Sequence, residues 1–163
     1  MKDTTVLVTG GAGYIGSHAV LALKDAGFPV VVIDNLVTGF RWAVPEDVPF
    51  YQGDIADEAL VDTICKTHGI SAIMHFAGSV VVPESVENPL KYYHNNAAKS
   101  RTLIESAVRN KVKHFIFSST AAVYGIPERV PVAEDFPTVP INPYGTSKLM
   151  TEVMLRDCSA AYP

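Results

Sequence analysis

Five short runs of β-branched and apolar residues recur along this chain, at 4–10, 29–34, 48–54, 71–78 and 113–119. Segments with helical spacing fall between them at 17–27, 57–69 and 88–112, and from 143 onward the pattern is helical to the end. Strands alternating with helices imply a parallel sheet covered on both faces. With right-handed crossovers, the prediction is an α/β doubly wound parallel sheet of strand order 3-2-1-4-5. The runs 29–33 and 113–117 are read as core strands, with His75 and His114 as core or edge histidines. His18 is expected to pack or cap in the first helix. The 163 residues suit one compact domain, 1–163. Residues 121–142 stand apart, with Pro127, Pro131, Pro137 and Pro140 and no periodicity. A loop of that length inside a compact domain is usually functional.

Composition narrows the function classes. A net charge of −4 leaves no basic footprint, so nucleic acid is not an expected partner. No run approaches the roughly 18 apolar residues of a membrane helix, and the N-terminus lacks a signal-peptide pattern. Cys65 and Cys158 lie far apart, with no His or Cys at metal-ligand spacing, and read as packed, reduced thiols rather than a disulfide or metal site. A soluble cytoplasmic protein is expected.

The stretch VTGGAGYIGSH follows the first strand and opens the first helix. It can be read as Gly11-x-Gly13-x-x-Gly16 or as Gly10-x-x-Gly13-x-x-Gly16. Glycines here allow a tight turn, close approach of a pyrophosphate to the backbone, and close helix–strand packing, while the helix N-terminus offers free N–H groups. The position between strand and helix is the context such a motif requires. Asp34 ends the second strand, 18 residues past Gly16. A carboxylate there accepts from the adenosine ribose hydroxyls and repels a 2′-phosphate, favouring NAD over NADP; the alternative is a turn cap within DNLVTG. Asp54 ends the third strand at the same edge. Either it bonds an adenine amino group, with Ile55 against the ring, or it caps the helix at 57.

Asn142 suits a helix N-cap and Pro143 the first helical position. Tyr144 and Lys148 then lie one turn apart on one face. Ionising a phenol at pH 7 demands about three pKa units, roughly 4 kcal/mol, and a neighbouring ammonium supplies on the order of 1–3 of them. That is how a tyrosine becomes a general base. An arbitrary Y-x-x-x-K is more often an ordinary helix pair; the glycine turn in the same chain shifts the balance. A hydroxyl partner is expected from Ser118, Ser119 or Thr120, at the end of the fifth strand.

The glycine turn, SSTAAVYG and PYGTSK together resemble the extended short-chain dehydrogenase/reductase family, with its Rossmann fold. Within it, HFAGSVVVPESVENPLKYYHNN and NPYGTSKLMTE are similar to the UDP-glucose 4-epimerase subfamily. The resemblance implies Thr120 bonded to the sugar 4-hydroxyl, Tyr144 as base, and Lys148 on the nicotinamide ribose. It places Gly10, Gly13, Tyr14, Ile15, Gly16, Asp34, Asn35, Asp54, Ile55, Phe76, Ala77, Gly78 and Asn95 against NAD, with Tyr144 and Lys148. It implies a UDP-sugar substrate, no metal, a homodimer, and a C-terminal substrate lobe absent from these 163 residues. Two departures accompany it: Val80 stands where better-known epimerases carry lysine, and the chain ends soon after Lys148. Alternatives are a related enzyme on another nucleotide sugar and a non-catalytic NAD-binding fragment. With Ala121 and Ala122 after Thr120, 4,6-dehydration lacks its acid.

Overall fold

The computed structural model describes residues 4–162. The chain divides into two compact units. One comprises the residues up to Ala77 with Thr102–Ser118, the other Gly78–Arg101 with Ser119 onward.

The first unit is built on a five-stranded parallel sheet of order β3-β2-β1-β4-β5, as the alternation predicts. Its strands are β1 (Thr5–Thr9), β2 (Val30–Asp34), β3 (Phe50–Gln52), β4 (Ile70–His75) and β5 (His114–Phe117). β1 is central, with Val8 level with Val32 on one side and Met74 on the other. Successive side chains of a strand point to opposite faces, and two cores result. Leu7, Val31, Ile33 and Ile73 pack with Val61 and Ile64 of α2 (Glu58–His68) and Leu103 of α5 (Lys99–Arg109). Val6, Val8, Val30 and Val32 pack on the other face with Val20 of α1 (Tyr14–Asp25) and with Val44 and Val48. Fully burying each such side chain contributes on the order of 1.5–3 kcal/mol.

Helix ends follow their local chemistry. Asp57 caps α2 by accepting the Leu60 N–H at 3.0 Å, and Gly69 closes it in the left-handed region at φ +60. The reading of 113–117 as a core strand is corrected. β5 hydrogen-bonds to β4 alone, and while Phe115 packs into the core, Ile116 on the opposite face is 52% exposed. His75 is a core histidine, fully buried and bonded to Thr9 Oγ1 at 2.6 Å, whereas His114 is exposed at the edge.

In the second unit, the helix expected from 88 is interrupted. α3 (Val82–Glu87) and α4 (Pro89–Tyr92) lead into a π-helical turn at Tyr93–Ala98, after which α5 begins. The wider turn accommodates Asn96, whose side chain and carbonyl are committed to partners outside the helix. A 3₁₀ turn at Ala121–Tyr124 opens the proline-rich stretch, and α6 (Pro143–Ala161) follows it. Asn142 caps α6, accepting the Gly145 N–H at 2.8 Å, with Pro143 at the first helical position. Among the described residues no helix is long and apolar enough to cross a membrane, and no cluster of His, Cys, Asp or Glu is placed to hold a metal.

Candidate active site

The first unit gathers the glycine turn and the strand-end acids at the carboxyl edge of its sheet. Gly10 has φ +69, and a Cβ there would lie 2.7 Å from the Ala77 nitrogen. A Cβ on Gly16 would lie 2.1 Å from the Gly10 carbonyl oxygen, inside any tolerable contact. A Cβ on Gly11 would lie 2.7 Å from Val32 Cγ1, so the glycines that distinguish the two readings of the motif, Gly10 and Gly11, are both required by packing. Gly13 is the N-cap of α1 and brings no side-chain acceptor, so the first-turn N–H groups of Tyr14, Ile15 and Gly16 are not capped by a side chain. The Tyr14 and Ile15 side chains stand out into solvent.

Asp34 is nearly buried at the end of β2. One oxygen accepts the Ala12 N–H at 2.9 Å, within the glycine turn, and the other accepts the Leu36 N–H at 2.8 Å. The carboxylate thus braces two turns and retains lone pairs for further donors. Asn35 beside it is exposed. At the end of β3, Asp54 accepts the Ala56 N–H at 2.9 Å. It does not cap α2, a role that falls to Asp57 because only Asp57 sits at the N-cap. Ile55 lies in the core at 5% exposure. Phe76 and Ala77 follow β4, with the Phe76 N–H bonded to the Thr9 carbonyl and Ala77 against Gly10.

The second unit carries the tyrosine–lysine pair. Tyr144 lies in the first turn of α6, partly buried, its ring edge-on to Tyr92 with centroids 6.5 Å apart. Tyr92 is fully buried. Its hydroxyl accepts the Val81 N–H and lies within donating distance of the Val81 carbonyl and the Glu84 carboxylate. Burial and that carboxylate push its phenol up to about 12, so it remains a neutral donor. Lys148, one turn beyond Tyr144, is only 4% exposed. Burial pulls its ammonium down to about 8, against the opposing pull of Glu152. Thr120 Oγ1 accepts the Ala122 N–H at 3.2 Å and caps the 3₁₀ turn. The backbone of that turn meets the start of α6, where a Cβ on Gly145 would lie 2.7 Å from the Ala122 carbonyl.

The segment after β4 is held by the π turn. Asn95 Nδ2 donates to Ser79 Oγ at 3.0 Å. Asn96 Oδ1 accepts the Ser79 N–H at 2.7 Å and crowds Gly78, while its Nδ2 donates to Ser79 O and Ser147 Oγ. Val80 beside them is 63% exposed. Sequence reasoning named Asn95 and passed over Asn96, although two adjacent asparagines inside a helix signal partners off the helix. It also passed over Glu152, whose spacing of four from Lys148 was visible.

A parallel sheet of this order, opened by a glycine turn and flanked by an acid at the end of β2, defines a Rossmann-type nucleotide-binding fold. The chain is 60% identical over 157 residues to a UDP-glucose 4-epimerase of Azospirillum brasilense, covering 96% of this chain and 45% of that protein. It superposes with TM-score 0.95 and 44% identity on UDP-glucose 4-epimerase from Brucella ovis in complex with NAD, covering 98% of this chain and 49% of that one. The corresponding enzyme from Bifidobacterium longum, in complex with NAD⁺ and UDP, gives TM-score 0.93 and 41% identity over 98% and 50%. Residues 6–163 match the model of the NAD dependent epimerase/dehydratase family. The chain belongs to that family. It spans about half the length of the relatives it matches.

Proposed function

We propose that this chain is the NAD-binding part of a UDP-glucose 4-epimerase, interconverting UDP-glucose and UDP-galactose. The observation that carries the reading is the pairing of Tyr144 with a buried Lys148 on the capped first turns of α6, in a chain whose β1–α1 turn is a glycine cradle. That cradle fits a dinucleotide. The space a Cβ would fill at Gly10 and Gly16 is taken by backbone, and the α1 N-terminus offers N–H groups that no side chain caps. Gly10, Gly13, Tyr14, Ile15 and Gly16 hold the pyrophosphate, and Asp34 with Asn35 takes the adenosine ribose. Asp54 and the Ile55 backbone face the adenine, and Phe76, Ala77, Gly78 and Asn95 line the cofactor further along.

NAD, when bound, supplies a reversible hydride acceptor for C4 of the sugar. The chain's own residues handle the proton and the geometry. Tyr144 Oη takes the 4-hydroxyl proton, leaving a 4-keto sugar, and returns it after the sugar presents its other face. Thr120 Oγ1 bonds the same hydroxyl and orients it. Lys148 donates to the nicotinamide ribose from one helical turn beyond Tyr144. With a value near 8, Lys148 is still mostly cationic at pH 7. Ala121 and Ala122 offer no acid for eliminating water, which favours epimerisation over 4,6-dehydration.

The apolar face formed by Ala97, Ala98, Leu149, Met150, Val153 and Met154 supports a homodimer. Two free thiols, Cys65 and Cys158, support a reducing, cytoplasmic setting. The test is conversion of UDP-galactose to UDP-glucose by the purified 163-residue chain with NAD⁺ added. Conversion is expected if these residues suffice. NAD⁺ binding without conversion would assign turnover to a longer protein, and absence of both would sink the reading.

A further inference from the structure

We propose that Glu152 is a positioning residue for the catalytic set, its carboxylate holding Ser119 and thereby setting Thr120 against the face of α6 that carries Tyr144 and Lys148. The inference rests on the roles proposed above for those three residues.

Residues 144, 148 and 152 are spaced by four along α6 and share one face. Glu152 is the last of the three. Its Oε1 accepts the hydroxyl of Ser119 across 33 residues of sequence. Hydrogen bonds to an ionised carboxylate are roughly twice as strong as neutral ones. Ser119 immediately precedes Thr120, whose own hydroxyl accepts the Ala122 N–H and whose carbonyl accepts the Val123 N–H. Segment 119–122 is therefore fastened to α6 at two levels. The Ala122 carbonyl lies against Gly145 near the start of the helix, and Ser119 is bonded to Glu152 two turns later. With either fastening released, the Thr120 hydroxyl would lose its register with Tyr144.

The same carboxylate acts on Lys148. Desolvation lowers the lysine's affinity for its proton, and Glu152 opposes it. Tyr144 shares their face of α6, and Tyr92 of α4 is edge-on to Tyr144 and bonded to Glu84 of α3. Tyr92 is neutral and Glu84 is engaged with Lys91, while Glu152 is a charged neighbour that raises the proton affinity of Lys148.

The experiment uses the 163-residue chain with ¹³C-labelled lysine and three substitutions, Glu152→Gln, Glu152→Ala and Ser119→Ala. Glu152→Gln keeps an acceptor for Ser119 and removes the charge. The Lys148 Cε resonance should then titrate about one pH unit lower, an approximately tenfold loss of protonation at a given pH. Ser119→Ala removes the bond and keeps the charge. It should leave that titration in place and speed amide hydrogen exchange at Ala122 and Val123 about tenfold, and Glu152→Ala should show both effects. An unchanged Lys148 titration in Glu152→Gln, or unchanged exchange at Ala122 and Val123 in both Ser119→Ala and Glu152→Ala, would overturn the proposal. Failure of the epimerase reading shows up separately, as absence of both NAD⁺ binding and sugar conversion in the unsubstituted chain.

Discussion

Asn96 Nδ2 donates to Ser147 Oγ at 3.1 Å, both residues buried, and this bond fastens the π turn to the helix that carries Tyr144 and Lys148. Around it, Asn96 also closes on both the N–H and the carbonyl of Ser79, and its own carbonyl accepts from Thr151. Every polar atom of the amide is engaged. Replacing it by alanine leaves the N–H and carbonyl of half-buried Ser79 without these partners, at about 1–3 kcal/mol for each group left unsatisfied, while the Ser147 hydroxyl keeps its bond to the Tyr144 carbonyl. Asn96→Ala should therefore lower stability by about 2–4 kcal/mol in denaturant unfolding. A loss under about 0.5 kcal/mol would mean that water replaces the amide.

Asp34 should discriminate between cofactors. Its carboxylate is nearly buried, so a 2′-phosphate brought to it meets like charge with little solvent screening. By calorimetry, NAD⁺ should bind at least about tenfold more tightly than NADP⁺, a difference of roughly 1.4 kcal/mol. Asp34→Asn should narrow that gap. Equal affinities in the unsubstituted chain would remove Asp34 from the ribose.

Lys148 should impose a pH dependence on folding. Its value falls from 10.5 to about 8 on burial, so folding disfavours the charged form. The penalty, about 3 kcal/mol, is fully present below pH 8 and fades as pH rises from 8 to 10.5. Lys148→Met should accordingly be more stable than the unsubstituted chain at pH 7, by about 1–3 kcal/mol, while weakening NAD⁺ binding. The difference should vanish near pH 10.5. A methionine variant less stable at pH 7 would show that the contacts of the ammonium outweigh its desolvation.

Gly16→Ala places a methyl 2.1 Å from the Gly10 carbonyl, which a small shift cannot relieve. We expect a loss of about 3 kcal/mol or more, or failure to fold. Gly27→Ala is a useful contrast: its Cβ meets nothing within 4 Å, so the cost comes from φ +79 alone, about 1 kcal/mol. Thermal unfolding of both variants would separate steric from conformational terms. Similar losses in the two would refute the packing argument.

In the complete enzyme, Tyr144→Phe should reduce sugar conversion by at least about 10²–10⁴-fold and leave NAD⁺ affinity within about threefold. The ring packing against Tyr92 survives the substitution, so the change isolates the hydroxyl. Undiminished conversion would eliminate Tyr144 as the base.

The sheet order, the capped start of α6 and the glycine turn were all legible in the sequence because each rests on local chemistry. Strand runs and helical periods are read within a few residues. Asn142 and Asp57 accept from N–H groups three positions away, and Pro143 has the backbone geometry of the first helical position built in. Even there, local reading overreached at 88–112, where helical period alone does not reveal a π turn, and at 113–117, where an apolar run does not disclose that one face lies open. What only the tertiary structure decided are the pairings between distant positions: Asp34 with Ala12 across 22 residues, Ser119 with Glu152 across 33, Asn96 with Ser147 across 51. Side-chain polarity marks these residues as able to bond but not with whom. The partner is set by how packed strands and helices bring them together, and burial then fixes the strength of each bond and the proton affinity of Lys148.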